Sequence, residues 1–238
     1  MPSAPKWVFD TIERLMSRLP FVEVTDTVFL SASVKKIRFR GDFKNLQFKV
    51  GSYIDFRVSG TESRRYTVSF ADTRNGILEF IVHLHGKGCG SEFMAHLKVG
   101  DKIDMNKPRN ERGYYDKASE RFVIFGDETS FALACSFLPV LTGNRHPFRF
   151  IFELDEENKN VPQLLGLTNS LVFPKNGSFR NEEWVSNLAV IKSSEWHNAK
   201  FILTGNVKSA QTFRKVLKDR TDCKVYLHGY WLEEKKGL

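Results

Sequence analysis

Residues 64–67 read Arg-Arg-Tyr-Thr within "ESRRYTVSF" (62–70), a segment whose alternating apolar residues mark a β-strand. Side chains alternate across a strand, so Arg64 and Tyr66 share one face while Arg65 and Thr67 share the other. A guanidinium forks onto phosphate and a phenol ring offers a stacking surface. The first pair therefore suits one ligand with an anionic part and a flat aromatic part. A solvated strand face with a cross-strand cation–π contact is the simpler reading of the tetrapeptide taken alone.

Two further stretches carry the chemistry of anions. In "HGKGCGS" (85–91), Gly86, Gly88 and Gly90 permit a tight turn with close backbone approach. Ser91 then reads as the N-cap of a short helix, with Phe93, Met94 and Leu97 on its apolar side and its end before Gly100. Free N–H groups and the positive dipole end at such a helix start favour a phosphate, although a turn needing its glycines for conformation alone reads the same way. In "FGDETSFALACSF", Gly126 to Thr129 lie where a strand gives way to a helix. In an open parallel sheet that is the cofactor-facing position, and a plain turn capped by Asp127 or Thr129 is the other reading.

The elements that position these residues follow from pattern. Val8, Ile12, Leu15, Met16 and Leu19 recur at helical spacing and predict an amphipathic helix ending before Pro20. Six short β-type runs follow between about 21 and 106 and predict an antiparallel barrel, with the 91–97 helix spliced between its last two strands. From about 120 onward, apolar runs alternate with amphipathic helices, the pattern of βαβ units and a parallel sheet covered on both faces. The polar stretch "NERGYYDKASE" reads as the linker, giving domains at 1–118 and 119–238.

Composition narrows the partners. The net charge of +8 and pI near 9.4 favour anionic ligands over cationic ones. Cys89, Cys135 and Cys223 are widely spaced, with no zinc-type pairing, and indicate a reducing compartment. His83 and His85 stand at i, i+2, a chelating spacing that lacks a third ligand nearby, so no metal site is expected. Cys89 is either a reactive thiol at a helix start or a bystander. Lys35, Lys36 and the terminal "EEKK" read as solvated charges. "KKIRFRG" alone interleaves aromatics with cations, so no nucleic-acid partner is expected. No apolar run approaches the ~18 residues of a membrane span, and the chain reads as a soluble, cytoplasmic monomer.

The Arg-x-Tyr-Thr strand, the "HG..G..S" turn and helix, "GDET" opening an α/β domain and the terminal "GYW" occur here in that order. In this the chain resembles the siderophore-interacting proteins, ferric-siderophore reductases of the ferredoxin–NADP reductase superfamily, from about residue 20 to Trp231. The resemblance implies FAD across the barrel and its junction with the second domain. It puts Arg64 on flavin phosphate, Tyr66 on or beside the isoalloxazine, and Thr67 near the reactive nitrogen through its backbone or a local twist. His85, Gly86, Gly88, Gly90 and Ser91 match the pyrophosphate turn, and His83 and His85 read as strand histidines facing the flavin edge or solvent. Asp127, Thr129 and "LTGN" (203–206) match nucleotide-facing turns, and Gly229, Tyr230 and Trp231 the terminal signature. Lys235, Lys236 and Arg65 become candidates for holding an anionic ferric siderophore, which reduced flavin would convert to the weakly bound ferrous form. Electrons would come from NAD(P)H or reduced ferredoxin. Departures are Cys89 and Gly90 in place of Pro-Ala, Phe93 for Trp, Asn206 for Glu, and Leu232 for a basic residue. A flavin reductase for another acceptor and a non-catalytic binder of the same fold are the alternatives.

Overall fold

The structure, a computed structural model, describes residues 18–86, 88–110, 113–220 and 223–233. The chain divides into two compact units between Gly113 and Tyr114. Tyr114 and Tyr115, read from sequence as part of a polar linker, are held by the second unit. Tyr114 is buried against Tyr226, with ring centroids 4.7 Å apart, and its hydroxyl lies 3.0 Å from His228 Nδ1. Tyr115 stacks on Phe122 at 5.5 Å.

The first unit contains strands β1 (Arg18–Phe29), β2 (Val34–Arg40), β3 (Tyr53–Arg57), β4 (Ser63–Asp72), β5 (Ile77–His83) and β6 (Lys102–Asn106). They form one sheet in the order β3-β4-β5-β2-β1-β6, antiparallel throughout. After β6 the chain returns to β3. Tyr53 and Arg109 exchange backbone hydrogen bonds of 3.1 and 2.9 Å, and Asn106 Nδ2 donates to the Asp55 carbonyl at 2.7 Å, so the barrel closes. Alternation turns Ile37, Phe39, Ile54, Phe56, Leu78 and Phe80 inward, where the Phe39, Phe56 and Phe80 rings meet at 5.2 to 6.0 Å. β1 begins at Arg18, so Leu19, expected as part of a helix, lies in a strand; the rest of that expectation lies outside the described residues.

Helix α1 (Cys89–His96) lies between β5 and β6 and sends Met94 into the barrel core. It begins ahead of Ser91, the expected cap. Gly88, with φ 94° and ψ 150°, takes the N-cap position in a conformation other residues rarely adopt, which makes Ser91 the third helical residue. At the other end Lys35, read as a solvated charge, is 2% exposed and donates to the carbonyls of Met94, Ala95 and Leu97 at 3.2, 2.9 and 2.6 Å. A cation at the C-terminal carbonyls satisfies acceptors the helix leaves open. It also fastens α1 to β2.

The second unit contains β7 (Phe122–Gly126), β8 (Phe148–Leu154), β9 (Ser170–Pro174), β10 (Lys200–Leu203) and β11 (Lys224–Leu227), all parallel, in the order β11-β10-β7-β8-β9. Helices α2 (Phe131–Gly143), α3 (Val161–Leu164), α4 (Glu182–Ser186), α5 (Ala189–Lys192) and α6 (Val207–Arg220) connect them. Phe131 and Phe137 of α2 meet Phe152 and Phe122, while Phe125 meets Phe179 and Phe213, so aromatic contacts cover both faces of the sheet. The order of winding reverses between β7 and β10. In open parallel sheets such a switch point, at the carboxyl ends of the two strands, is where ligands bind.

Two measurements probe this unit. A methyl group on Gly126 would lie 2.1 Å from Ser130 Oγ and 2.4 Å from its Cβ, so Gly126→Ala should cost about 1–3 kcal/mol in urea unfolding. Glu153, 3% exposed on β8, has its carboxyl pushed up to about 7 by burial, with the nearby Asp127 adding to the effect. Its ordinary value is 4.5. The folded state therefore keeps a proton the unfolded chain has lost, and stability falls as pH rises from 4.5 through 7, by roughly 3 kcal/mol in full. Glu153→Gln should flatten that decline in melts run from pH 5 to 8.

Candidate functional site

The β3–β4 ladder sets Phe56 opposite Arg64 and Ile54 opposite Tyr66. Directly opposite residues share a face, and both partners are buried in the barrel core. Arg64 and Tyr66 thus project on the core side, which is why a cation sits where the strand's face should be apolar. Tyr66 packs edge-on against Phe56 at 5.7 Å. What lies over them is the start of α1: a Cβ on Gly90 would fall 2.7 Å from Arg64 Cγ and 2.8 Å from the Tyr66 hydroxyl. The strand motif and the glycine turn, 20-odd residues apart in sequence, are one site.

Its electrostatics are those of an anion cradle. The first helical hydrogen bond of α1 runs from Glu92 N to the Gly88 carbonyl at 3.2 Å, and no side chain caps the helix. The N–H groups of Cys89, Gly90 and Ser91 come before that bond and point out of the helix start. Arg64 stands beside them, with Nη1 on the Ser63 carbonyl at 2.9 Å and Nη2 on Glu62 Oε1 at 2.8 Å. Burial pushes the Tyr66 hydroxyl well above its ordinary range, so it stays neutral. Burial and a hydrogen bond to Glu62 also push the Cys89 thiol up, the direction opposite to the one that favours a thiolate. Glu62 escaped the sequence reading. Its spacing, two residues ahead of Arg64, was the signal.

On the opposite face Arg65 forks onto Asp55 at 3.0 and 3.4 Å, with its guanidinium 3.9 Å from the Tyr53 ring centre. Arg109 reaches the same carboxylate at 3.6 Å. The cross-strand cation–π contact foreseen for the tetrapeptide therefore exists, at Arg65 and not at Arg64. Thr67 pairs with Tyr53 on this face, and the ladder shifts register between Val68 and Phe70, directly after it. A local twist accompanies such a shift. β5 ends at His83, so His85 lies beyond the strand and not on one face with it; their rings are 6.4 Å apart. Burial, then the neighbouring His83, pushes the His85 imidazole down. Gly86 takes a positive φ of 68° in the turn that follows.

In the second unit Asp127 Oδ1 accepts from the backbone N–H and the hydroxyl of Thr129, at 2.9 and 2.5 Å, and Oδ2 accepts from the Trp231 indole at 2.6 Å. Gly205, at φ 79°, passes so close that a Cβ there would meet the Asp127 carboxylate at 2.8 Å. Asn206 is buried and caps α6, accepting from the N–H groups of Lys208 and Ser209 at 2.9 and 3.3 Å. Its amide also donates to Glu233 at 3.1 Å, which in turn pairs with Arg180. Asp127, Thr129, Asn206 and Trp231 are thus gathered at the carboxyl ends of β7 and β10. Lys235 and Lys236 lie outside the described residues.

Comparison with known proteins bears on the fold. Residues 21–114 match the family model described as the oxidoreductase FAD-binding domain. Methane monooxygenase component C of Methylosinus trichosporium is 27% identical over 95 residues, covering 40% of this chain and 28% of that protein. The chain thus spans little more than a quarter of that curated relative's length. Among solved structures, phthalate dioxygenase reductase superposes with a TM-score of 0.72 at 15% identity, over 89% of this chain and 68% of that one. The siderophore-interacting protein of Aeromonas hydrophila gives 0.71 at 16% identity, over 92% and 93%. Among the described residues no helix is long and apolar enough to cross a membrane. The chain therefore has the two-domain fold of ferredoxin–NADP reductase and the siderophore-interacting proteins, and its barrel matches the oxidoreductase FAD-binding domain.

Proposed function

We propose that the protein is an FAD-dependent oxidoreductase that reduces the iron of an anionic ferric siderophore, with electrons from NAD(P)H or reduced ferredoxin. The observation that carries this reading is the convergence of Arg64, Tyr66 and the start of α1 around Gly90, where a side chain has no room. The residues fit the cofactor. Arg64 and the N–H groups of Cys89, Gly90 and Ser91 supply donors for a pyrophosphate, and Gly86 and Gly88 shape the approach. Tyr66 offers a neutral ring for the flat group, with Thr67 and His83 or His85 assigned to its edge. Bound FAD would supply hydride acceptance and single-electron release to the metal.

Asp127, Thr129 and Trp231 are assigned to the pyridine nucleotide, on the strength of their place at the switch point of the sheet. The indole–carboxylate bond holds Trp231 in one orientation against the turn. For the ferric chelate, cations are needed rather than metal ligands, since the iron arrives wrapped in hard oxygen donors. Arg65 is one candidate, although Asp55 already holds its fork. Lys235 and Lys236 are the others.

A second reading has specific support. Phthalate dioxygenase reductase, which shares this fold, is described as transferring electrons from pyridine nucleotides to a [2Fe-2S] centre. Under that reading the acceptor here is an iron–sulfur protein.

The test is optical. Protein loaded with FAD should bleach on anaerobic addition of NADPH, NADH or reduced ferredoxin, and regain its absorbance when a ferric siderophore follows. Recovery with an oxidised [2Fe-2S] protein, and none with the ferric siderophore, would favour the second reading; failure to take up FAD would remove both. Arg64→Ala should weaken FAD binding roughly ten- to a hundredfold in a fluorescence titration, the loss of one charge-assisted contact.

A further inference from the structure

We infer that Glu62 is an internal occupant of the anion cradle, a carboxylate held in place of a phosphate that an incoming ligand must displace. The inference rests on the flavin reading of the same site and adds how loading is controlled. Glu62 accepts from Arg64 Nη2 at 2.8 Å and from the Cys89 thiol at the first position of α1. One carboxylate thus holds the guanidinium assigned to the pyrophosphate and meets the side chain of the first residue of α1, beside the helix-start N–H groups. A carboxylate and a phosphate oxygen make the same charge-assisted contact with a guanidinium.

The placement of Glu62 is built into the fold. It closes the β3–β4 hairpin, its carbonyl accepting from Val58 N at 3.0 Å and Ser59 N at 3.3 Å. Arg57 braces the same turn by donating to the carbonyls of Ser59 and Gly60 at 3.2 and 2.9 Å. With its backbone fixed there, Glu62 presents its side chain to Arg64 by strand alternation. The pair keeps partial access to solvent, with side-chain exposures of 25% for Arg64 and 32% for Glu62. An ion pair so exposed is weak, so a ligand carrying two phosphates can displace it. If Glu62 remains nearby, its charge opposes the ligand.

The direction of one substitution decides between this role and a supporting one. A Glu62 that merely steadies Arg64 would give weaker ligand binding when neutralised, whereas a competitor gives tighter binding. FAD by equilibrium dialysis and inorganic pyrophosphate by calorimetry are measured on wild type, Glu62→Gln and Glu62→Ala. Both variants are expected to bind both ligands more tightly, by roughly three- to tenfold, the scale of a half-exposed ion pair plus like-charge repulsion. Unchanged or weaker binding of both ligands overturns the inference. A gain for pyrophosphate in proteins that take up no FAD leaves the competition standing and removes the flavin reading.

Discussion

The contact of Gly90 with Arg64 and Tyr66 is the constraint on which the site depends. Strand β4 by itself presents an arginine and a tyrosine at the rim of a barrel core, a costly place for a charge without a partner. The start of α1 by itself presents N–H groups with no cap. Bringing a residue without a side chain between them lets the guanidinium stem and the phenol close on the helix backbone. Donors from strand and helix then point to one region.

Three other interactions hold α1 where this contact needs it. Met94 anchors its middle in the core shared with Phe56 and Phe80. Lys35 collects the carbonyls at its end and ties them to β2. Gly88 sets the angle at which the chain enters it. Burying an ammonium group here is tolerable because three acceptors replace its water, although burial still pushes the Lys35 ammonium below its ordinary range. The second unit repeats the theme of a turn locked by its own side chains. Asp127 accepts from Thr129 and Trp231, and Asn206 caps α6.

Much of the fold was legible because its signals are local. Alternation along "KKIRFRG" and "ILEFIVH" located β2 and β5, and the change from period two to strand–helix alternation marked the parallel sheet. The misreadings at Lys35 and Tyr114 involve partners distant in sequence, whereas the one at Ser91 is local. Nothing near Lys35 announces that a helix end some sixty residues later needs a cation. Tyr114 looked like a linker residue because Tyr226 and His228 are more than a hundred positions away. Ser91 resembled a cap by residue type, but the positive φ of Gly88 moved the helix start earlier. Arg64 and Tyr66 were readable as a pair from spacing alone. That Gly90 joins them was invisible in the sequence, because the helix lies more than twenty residues further on, whereas the spacing of Glu62 from Arg64 was a signal left unread.

A crystal structure of the protein grown with FAD would test the central claim most directly. The account predicts pyrophosphate oxygens within hydrogen-bond reach of Arg64 and the backbone N–H groups at Gly90 and Ser91, the ring lying against Tyr66, and Glu62 turned away. FAD bound elsewhere, with Arg64 still paired to Glu62 over an empty helix start, would contradict it.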